Sequence, residues 1–224
     1  MTPSHPLYDA MISGDAEAAR CVTVRTLAEG VAPLSLVNDY MIPAMEDAGK
    51  RFAAGEYFVP DLLIRARAMK TAMAILRPLL VAAQIKSAGR VVLGTVNGDV
   101  HDIGKNLVGA MLEGCGFEVV DLGVNVSPEK FIAAINERNP HIVGMSALLT
   151  STMYSMKTTI DAMVQAGVRD KVKVLIGGAP VTRQFAQEIG ADGSSNNAVG
   201  AVAVAKMAMG LQIESTAGVY WRTA

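Results

Sequence analysis

Apolar positions recur at helical spacing through roughly the first 85 residues, and from Arg90 they change to short apolar runs separated by amphipathic stretches. The first pattern predicts helices on short connections. A short helix lies near Tyr8, and Asp15 is placed to cap a second helix that ends near Gly30. Pro33 suits the first turn of a third helix, which carries Leu36, Met41, Met45 and Phe52. Pro43 kinks or divides that helix, and Gly55 closes it. Pro60 opens a long fourth helix with Leu62, Leu63, Met69, Met73 and Leu76 at helical spacing. Short connections imply antiparallel neighbours, hence an all-α four-helix bundle domain over residues 1–86.

The second pattern predicts strands at 90–96, 117–121, 141–146, 172–176 and near 191–194. Helices fit between and after them at 104–115, 128–138, 152–166, 180–189 and 197–209. A βα unit repeated five times predicts a parallel sheet covered on both faces. The expected fold class is therefore α/β, a flavodoxin-like doubly wound five-stranded sheet over residues 87–224, preceded by the helical domain. The connector Ala82–Gly89 marks the boundary. The tail Leu211–Ala224 offers Tyr220 and Trp221 in a mostly polar setting, and packing on the body is the simplest expectation for it.

Composition narrows the function classes. Hydrophobic residues make up 51% and charged residues 18%, enough apolar material for a sizeable core. Net charge is -1 with no basic run, so the electrostatic footprint of a nucleic-acid binder is missing. No apolar segment is long enough to span a bilayer, and the start of the chain lacks the features of a secretory signal. The expectation is a soluble, cytoplasmic protein with neither nucleic acid nor membrane as partner. Cys21 and Cys115 form no disulfide framework and no zinc spacing, and both read as small buried hydrophobes. The methionine stripe reads as core filler.

The chemistry concentrates where strands give way to helices. Asp99-Val100-His101-Asp102-Ile103-Gly104 follows the first apolar run and precedes a helix. In an open α/β sheet that loop lies at the carboxyl edge, where such folds bind ligands. An imidazole there, oriented by a nearby acid, is suited to holding a metal. Two more elements reach the same edge: Ser146-Ala147-Leu148-Leu149-Thr150-Ser151-Thr152 after the third strand and Gly177-Gly178-Ala179 after the fourth. Small residues would let a flat or long ligand approach backbone, and the hydroxyls of Ser146, Thr150 and Thr152 supply hydrogen bonds. Taken singly, a loop histidine is ordinary surface, paired glycines make a tight turn, and a hydroxyl run caps a helix. Their order and spacing together are the stronger signal.

Those three elements resemble the cobalamin-binding pattern shared by methionine synthase and the corrinoid proteins of methyltransferase systems. The helical half resembles their cap domain through Gly49-Lys50-Arg51-Phe52-Ala53-Ala54-Gly55-Glu56-Tyr57-Phe58-Val59-Pro60, and the similarity covers roughly residues 5–210. The resemblance implies cobalamin bound base-off, with His101 as the lower axial cobalt ligand in place of the cofactor's own base. It implies that Asp99 accepts a hydrogen bond from the far nitrogen of His101 and that Thr152 completes the relay where methionine synthase has a serine. Asp102, Ile103, Gly104, Ser146, Leu148, Thr150, Gly177 and Gly178 fall on the cofactor-binding loops, several of them along the displaced nucleotide tail. Phe52 and Val59 match cap residues over the upper face, with valine where methionine synthase has leucine. Ser194 stands where an aromatic is common near the tail pocket.

The implied function is a corrinoid methyl carrier of one-carbon metabolism that cycles between Co(I) and methyl-Co(III). It would take a methyl group from a substrate:corrinoid methyltransferase and give it to a second methyltransferase with a folate or thiol acceptor, with a reductive activator as a further partner. The chain would be a component of a transferase system, with no catalytic residue of its own. Methanol, methylamines, betaines and aryl methyl ethers all stay open as donors. The alternative is a cobalamin-dependent regulator or light sensor lacking its DNA-binding domain. The cobalamin subunit of a carbon-skeleton mutase and a plain flavodoxin-like domain are the remaining readings.

Overall fold

The computed structural model describes residues 5–83, 87–213 and 219–222. The chain divides into two compact units, Met1–Ser87 with Ala110–Gly116, and Ala88–Gly109 with Phe117–Ala224. Residues 84–86 of the predicted connector, and 214–218 and 223–224 of the tail, lie outside the described residues. Among the described residues no helix is long and apolar enough to cross a membrane.

The helical unit begins with α1 (Pro6–Ser13), capped by the His5 ring, which accepts from the Leu7 amide and stacks on Tyr40 at 3.8 Å. Gly14 turns the chain in a left-handed conformation, and Asp15 caps α2 (Ala16–Ala28) by accepting from the amides of Glu17 and Ala18. The third run starts as a single turn, α3 (Pro33–Ser35), widens to a π-helical stretch over Leu36–Met41 and continues as α4 (Ile42–Ala53). The division expected at Pro43 takes this form because a proline clashes with the carbonyl four residues back, and a wider turn relieves the clash. After the turn at Gly55, α5 (Val59–Ala82) completes the unit. Met11, Met41, Met45 and Met69 are at most 1% exposed, so these methionines fill the core as expected. Cys21 departs from expectation. It lies exposed on α2, where its thiol donates to Glu17, because its position falls on the outer face of that helix. Cys115 is buried.

The second unit alternates strands and helices in the expected order. Its strands are β1 (Arg90–Thr95), β2 (Glu118–Asp121), β3 (Ile142–Ser146), β4 (Lys173–Gly177) and β5 (Gly193–Ser195). The helices are α6 (Ile103–Gly114), α7 (Pro128–Arg138), α8 (Thr150–Gln165), α9 (Arg183–Glu188) and α10 (Ala198–Ala208). The five strands pair in parallel in the order β2-β1-β3-β4-β5, the flavodoxin arrangement. The sheet also gains a sixth strand from the tail: β6 (Val219–Trp221) runs antiparallel to β5. It satisfies the open edge of a three-residue strand, and Tyr220 at 7% exposure joins the core. A three-residue strand has too few positions for periodicity to reveal it.

Alternate residues of the sheet face opposite layers. Val92, Val143, Met145, Val174 and Ile176 pack under Phe131 and Ile135 of α7, Met156 and Ile160 of α8 and Phe185 of α9. On the other face Gly109 of α6 lies against Leu93, and Gly193 against Val204 of α10. With helices on both faces, the carboxyl ends of β1, β3 and β4 remain the open edge.

Candidate functional site

The β1–α6 loop is built around one buried carboxylate. Asp99 is fully buried, and each of its oxygens has partners. Its Oδ1 accepts from the His101 amide at 3.0 Å and lies 2.8 Å from His101 Nδ1. Its Oδ2 accepts from the Thr152 hydroxyl at 2.6 Å and from the amides of Leu148 at 2.8 Å and Leu149 at 3.4 Å. Burial on its own would push the carboxyl up. The hydrogen bonds from Thr152, the His101 amide, Leu148 and the His101 ring outweigh it and hold Asp99 well below the usual carboxylate range. The group is therefore a fixed negative charge at neutral pH. It ties together the loop after β1 and the loop after β3, two elements far apart in sequence and adjacent in the sheet.

This carboxylate orients the imidazole. With Nδ1 engaged by Asp99, Nε2 is turned away from it on the opposite side of the ring. The His101 side chain is 46% exposed while Asp99 beneath it is sealed. The loop backbone is held as well, since Thr95 Oγ1 donates to the His101 carbonyl at 2.9 Å. The other two histidines have structural duties, His5 as a helix cap and His141 as acceptor from the Arg90 amide. Among the described residues no group of three or more His, Cys, Asp or Glu side chains could hold a metal ion. One exposed imidazole with its second nitrogen held by a carboxylate fits a metal that carries its other donors with it.

The surroundings suit a broad apolar ligand. Val100 and Ile103, flanking His101, are 68% and 67% exposed, and Leu148 and Leu149 are 45% and 44% exposed. Isolated apolar residues on a surface need no explanation, but four on two adjoining loops and the helix start that follows one of them do. Beside this patch, Thr95, Ser146, Gly177 and Ser195 stand side by side across four strands on the face covered by α6 and α10. That row keeps the side chains of the sheet small at the open edge. Gly104, in the first turn of α6, has open space where a Cβ would stand.

The remaining predicted residues fall into distinct places. Asp102 starts α6, accepting from the Asn106 amide and side chain. Thr150 begins α8 and is exposed. Gly178 has a reason inside the fold: at φ +131° its absent Cβ would meet the Ala147 carbonyl oxygen at 1.8 Å. Phe52 and Val59 belong to the helical unit, on α4 and at the start of α5. Val59 is 41% exposed beside Phe58 at 67%. Tyr57, in the turn between them, lies under the guanidinium of Arg65 at 3.8 Å, and its hydroxyl accepts from Arg51. Sequence reading had no signal for Ser195, for the two leucine amides on Asp99, or for Thr95 beneath His101. All depend on register across strands.

Comparison with known proteins gives this arrangement a family. Two family models, each described as B12 binding domain, match residues 4–77 and 89–203. The trimethylamine corrinoid protein of Methanosarcina barkeri is 40% identical over 203 residues, covering 90% of this chain and 94% of the relative. Among solved structures, a cobalamin-binding protein from Desulfitobacterium hafniense DCB-2 is 37% identical, with TM-score 0.75 over 90% of this chain and 96% of its own. The methanol:cobalamin methyltransferase complex MtaBC of Methanosarcina barkeri matches with TM-score 0.81 and 29% identity, over 92% of this chain and 78% of that one. Two matched domains in this order, nearly end to end with its relatives, establish that the chain belongs to the B12-binding corrinoid proteins of methyltransferase systems.

Proposed function

We propose that this chain is a corrinoid methyl carrier. It would accept a methyl group from a substrate:corrinoid methyltransferase and present it to a second methyltransferase that passes it to a folate or thiol acceptor, with a reductive activator as a third partner. When bound, the cobalt of the corrinoid supplies the methyl-transfer and redox chemistry. The chain supplies orientation, electrostatics and shielding. In this reading His101 Nε2 is the lower axial donor, cobalamin is bound base-off, and Asp99 fixes the ring's tautomer and raises its donor strength. Thr152 and the Leu148 amide hold Asp99 charged and in place. Val100 and Ile103 face the macrocycle, Gly104, Ser146, Leu148, Gly177 and Gly178 border the path of the nucleotide tail, and Thr150 offers a hydroxyl on the same edge. Phe52 and Val59 shield the reactive face from water, and residues 1–86 and 87–224 act as cap and cobalamin-binding domains in the cytoplasm.

The observation that carries the reading is a half-exposed imidazole, clamped through Nδ1 by a sealed carboxylate, among the exposed apolar side chains of Val100, Ile103, Leu148 and Leu149. Relatives whose names carry trimethylamine in one case and methanol in another share this architecture, which supports a donor choice made by the partner enzyme.

The test is coordination. Full-length protein with 15N-labelled histidine is reconstituted with cobalamin, reduced to the paramagnetic state and compared with a His101→Ala variant by electron paramagnetic resonance. A 15N doublet in the wild type that the variant lacks is expected. A spectrum governed by the nucleotide base in both proteins overturns base-off binding. For the shield, Phe52→Ala is expected to load normally and lose its methyl group to light faster. An unchanged photolysis rate removes Phe52 from that role.

A further inference from the structure

One charged side chain near the His101 loop has no part in holding the ring directly. Lys105, in the first turn of α6, is 1% exposed along its side chain. Its ammonium donates to Asp121 Oδ2 at 2.6 Å and to Asn106 Oδ1 at 2.7 Å. Asn106 in turn donates from its side chain to Asp102 Oδ2 at 3.0 Å and from its amide to the Asp102 carbonyl at 2.7 Å. Taking an ammonium out of water is costly, and an apolar side chain of the same length would fill the space at no such expense. The pairing partner explains its presence better than packing does.

Asp121, at the carboxyl end of β2, reaches the other side of the loop too. Its Oδ1 accepts from the Gly123 amide at 2.9 Å. The Gly123 carbonyl accepts from the Thr95 amide at 3.0 Å. Thr95 Oγ1 donates to the His101 carbonyl. One carboxylate thus anchors the irregular stretch between Thr95 and Lys105 at both ends, through the strand on one side and the helix on the other. The height of the imidazole above the sheet edge depends on where those ends are fixed.

We propose that Lys105 and Asp121 are positioning residues that set the height of His101, so that Nε2 reaches a ligand at the sheet edge without loss of loop order. This rests on the reading of His101 as the axial donor. Outer partners of metal-ligating histidines change metal affinity by about ten- to a hundredfold when removed, and an effect in that range is expected here.

The experiment uses full-length Lys105→Met, Asp121→Asn and the double variant, each with 15N-labelled histidine. Asp121→Asn alone leaves an unpaired buried ammonium and is expected to lower the melting temperature. The double variant removes both charges while Asn keeps an acceptor for Gly123, so its melting temperature is expected to return to the wild-type value. Its histidine coordination is not expected to return: the fraction of cobalt with a 15N doublet falls, and the His101 amide of the cofactor-free protein exchanges with solvent faster than in the wild type. A double variant with wild-type melting, coordination and exchange overturns the proposal and leaves the pair a purely structural one. If the wild type itself shows no 15N doublet, the axial reading is what fails. The His101 exchange rate then decides the clamp, with an unchanged rate in the double variant overturning it.

Discussion

Two loops leave the same edge of the sheet and are built on opposite principles. The β1–α6 loop is organised by side-chain charge: Asp99 gathers an imidazole, a hydroxyl and backbone amides around itself. The β4–α9 loop is organised by the lack of a side chain: Gly178 brings its backbone against Ala147, whose amide bonds the Gly177 carbonyl. Each loop has a glycine of the family pattern at or just beyond it, yet Gly104, in the first turn of the helix after the first loop, stands in open space and Gly178 in the second loop has none. A glycine with room around it has no packing reason to be one. In the proposed function its reason is the nucleotide tail that passes there.

The sharpest way to break this contrast is at the second loop. Gly178→Ala places a methyl group inside the Ala147 carbonyl at a left-handed φ, and should cost the sheet unit ~4 kcal/mol or more. Urea denaturation measures it, and a loss under ~1 kcal/mol would mean the loop adapts freely. Next comes the centre of the first loop. Asp99→Ala strips partners from at least three donors, and should cost ~3 kcal/mol at neutral pH. The same contribution should vanish in acid. The folded Asp99 carboxyl is held below its unfolded value, so its stabilisation is complete above pH ~4 and is lost as pH falls through the lowered folded value. A wild-type minus Asp99→Ala difference that stays constant down to the acid transition would contradict this.

Thr152→Val removes a single hydroxyl bond to a charged group and should cost ~2 kcal/mol, read from the same denaturation curves. The smallest effect is the most telling. Gly104→Ala adds a methyl group to open space on a helix, so the cofactor-free protein should be stabilised by up to ~1 kcal/mol. Cobalamin should nevertheless bind about tenfold more weakly, or ~1.4 kcal/mol, because the methyl group stands in the proposed tail path. Equal cobalamin affinity in the two proteins would end the distinction between the two glycines.

Much of this was legible along the chain. The order of strands and helices follows from local periodicity, and each predicted βα element is present, with boundaries moved by a few residues. Asp99 and His101 lie two residues apart, so a loop that contains both brings them within reach. Asp121 and Lys105 are 16 residues apart on different elements, and their pairing had no sequence signal. Cys21 shows the converse error. A helical pattern with weak amphipathicity did not specify which face of α2 it occupies, and it is exposed. Tyr220 and Trp221 were visible as aromatics without a place until β5 supplied an edge to pair with.

The chain alone determined the alternation of elements and the presence of an acid-oriented imidazole at the carboxyl edge, because both depend on neighbours within a few residues. Only the tertiary structure decided that Thr152, 53 positions from Asp99, gives its hydroxyl to that carboxylate. It alone decided that Thr95, Ser146, Gly177 and Ser195 form one row, and that Gly178 is demanded by the fold where Gly104 is not. Those facts arise from strand register and from backbones brought into contact by folding, distances that no local pattern of residues encodes.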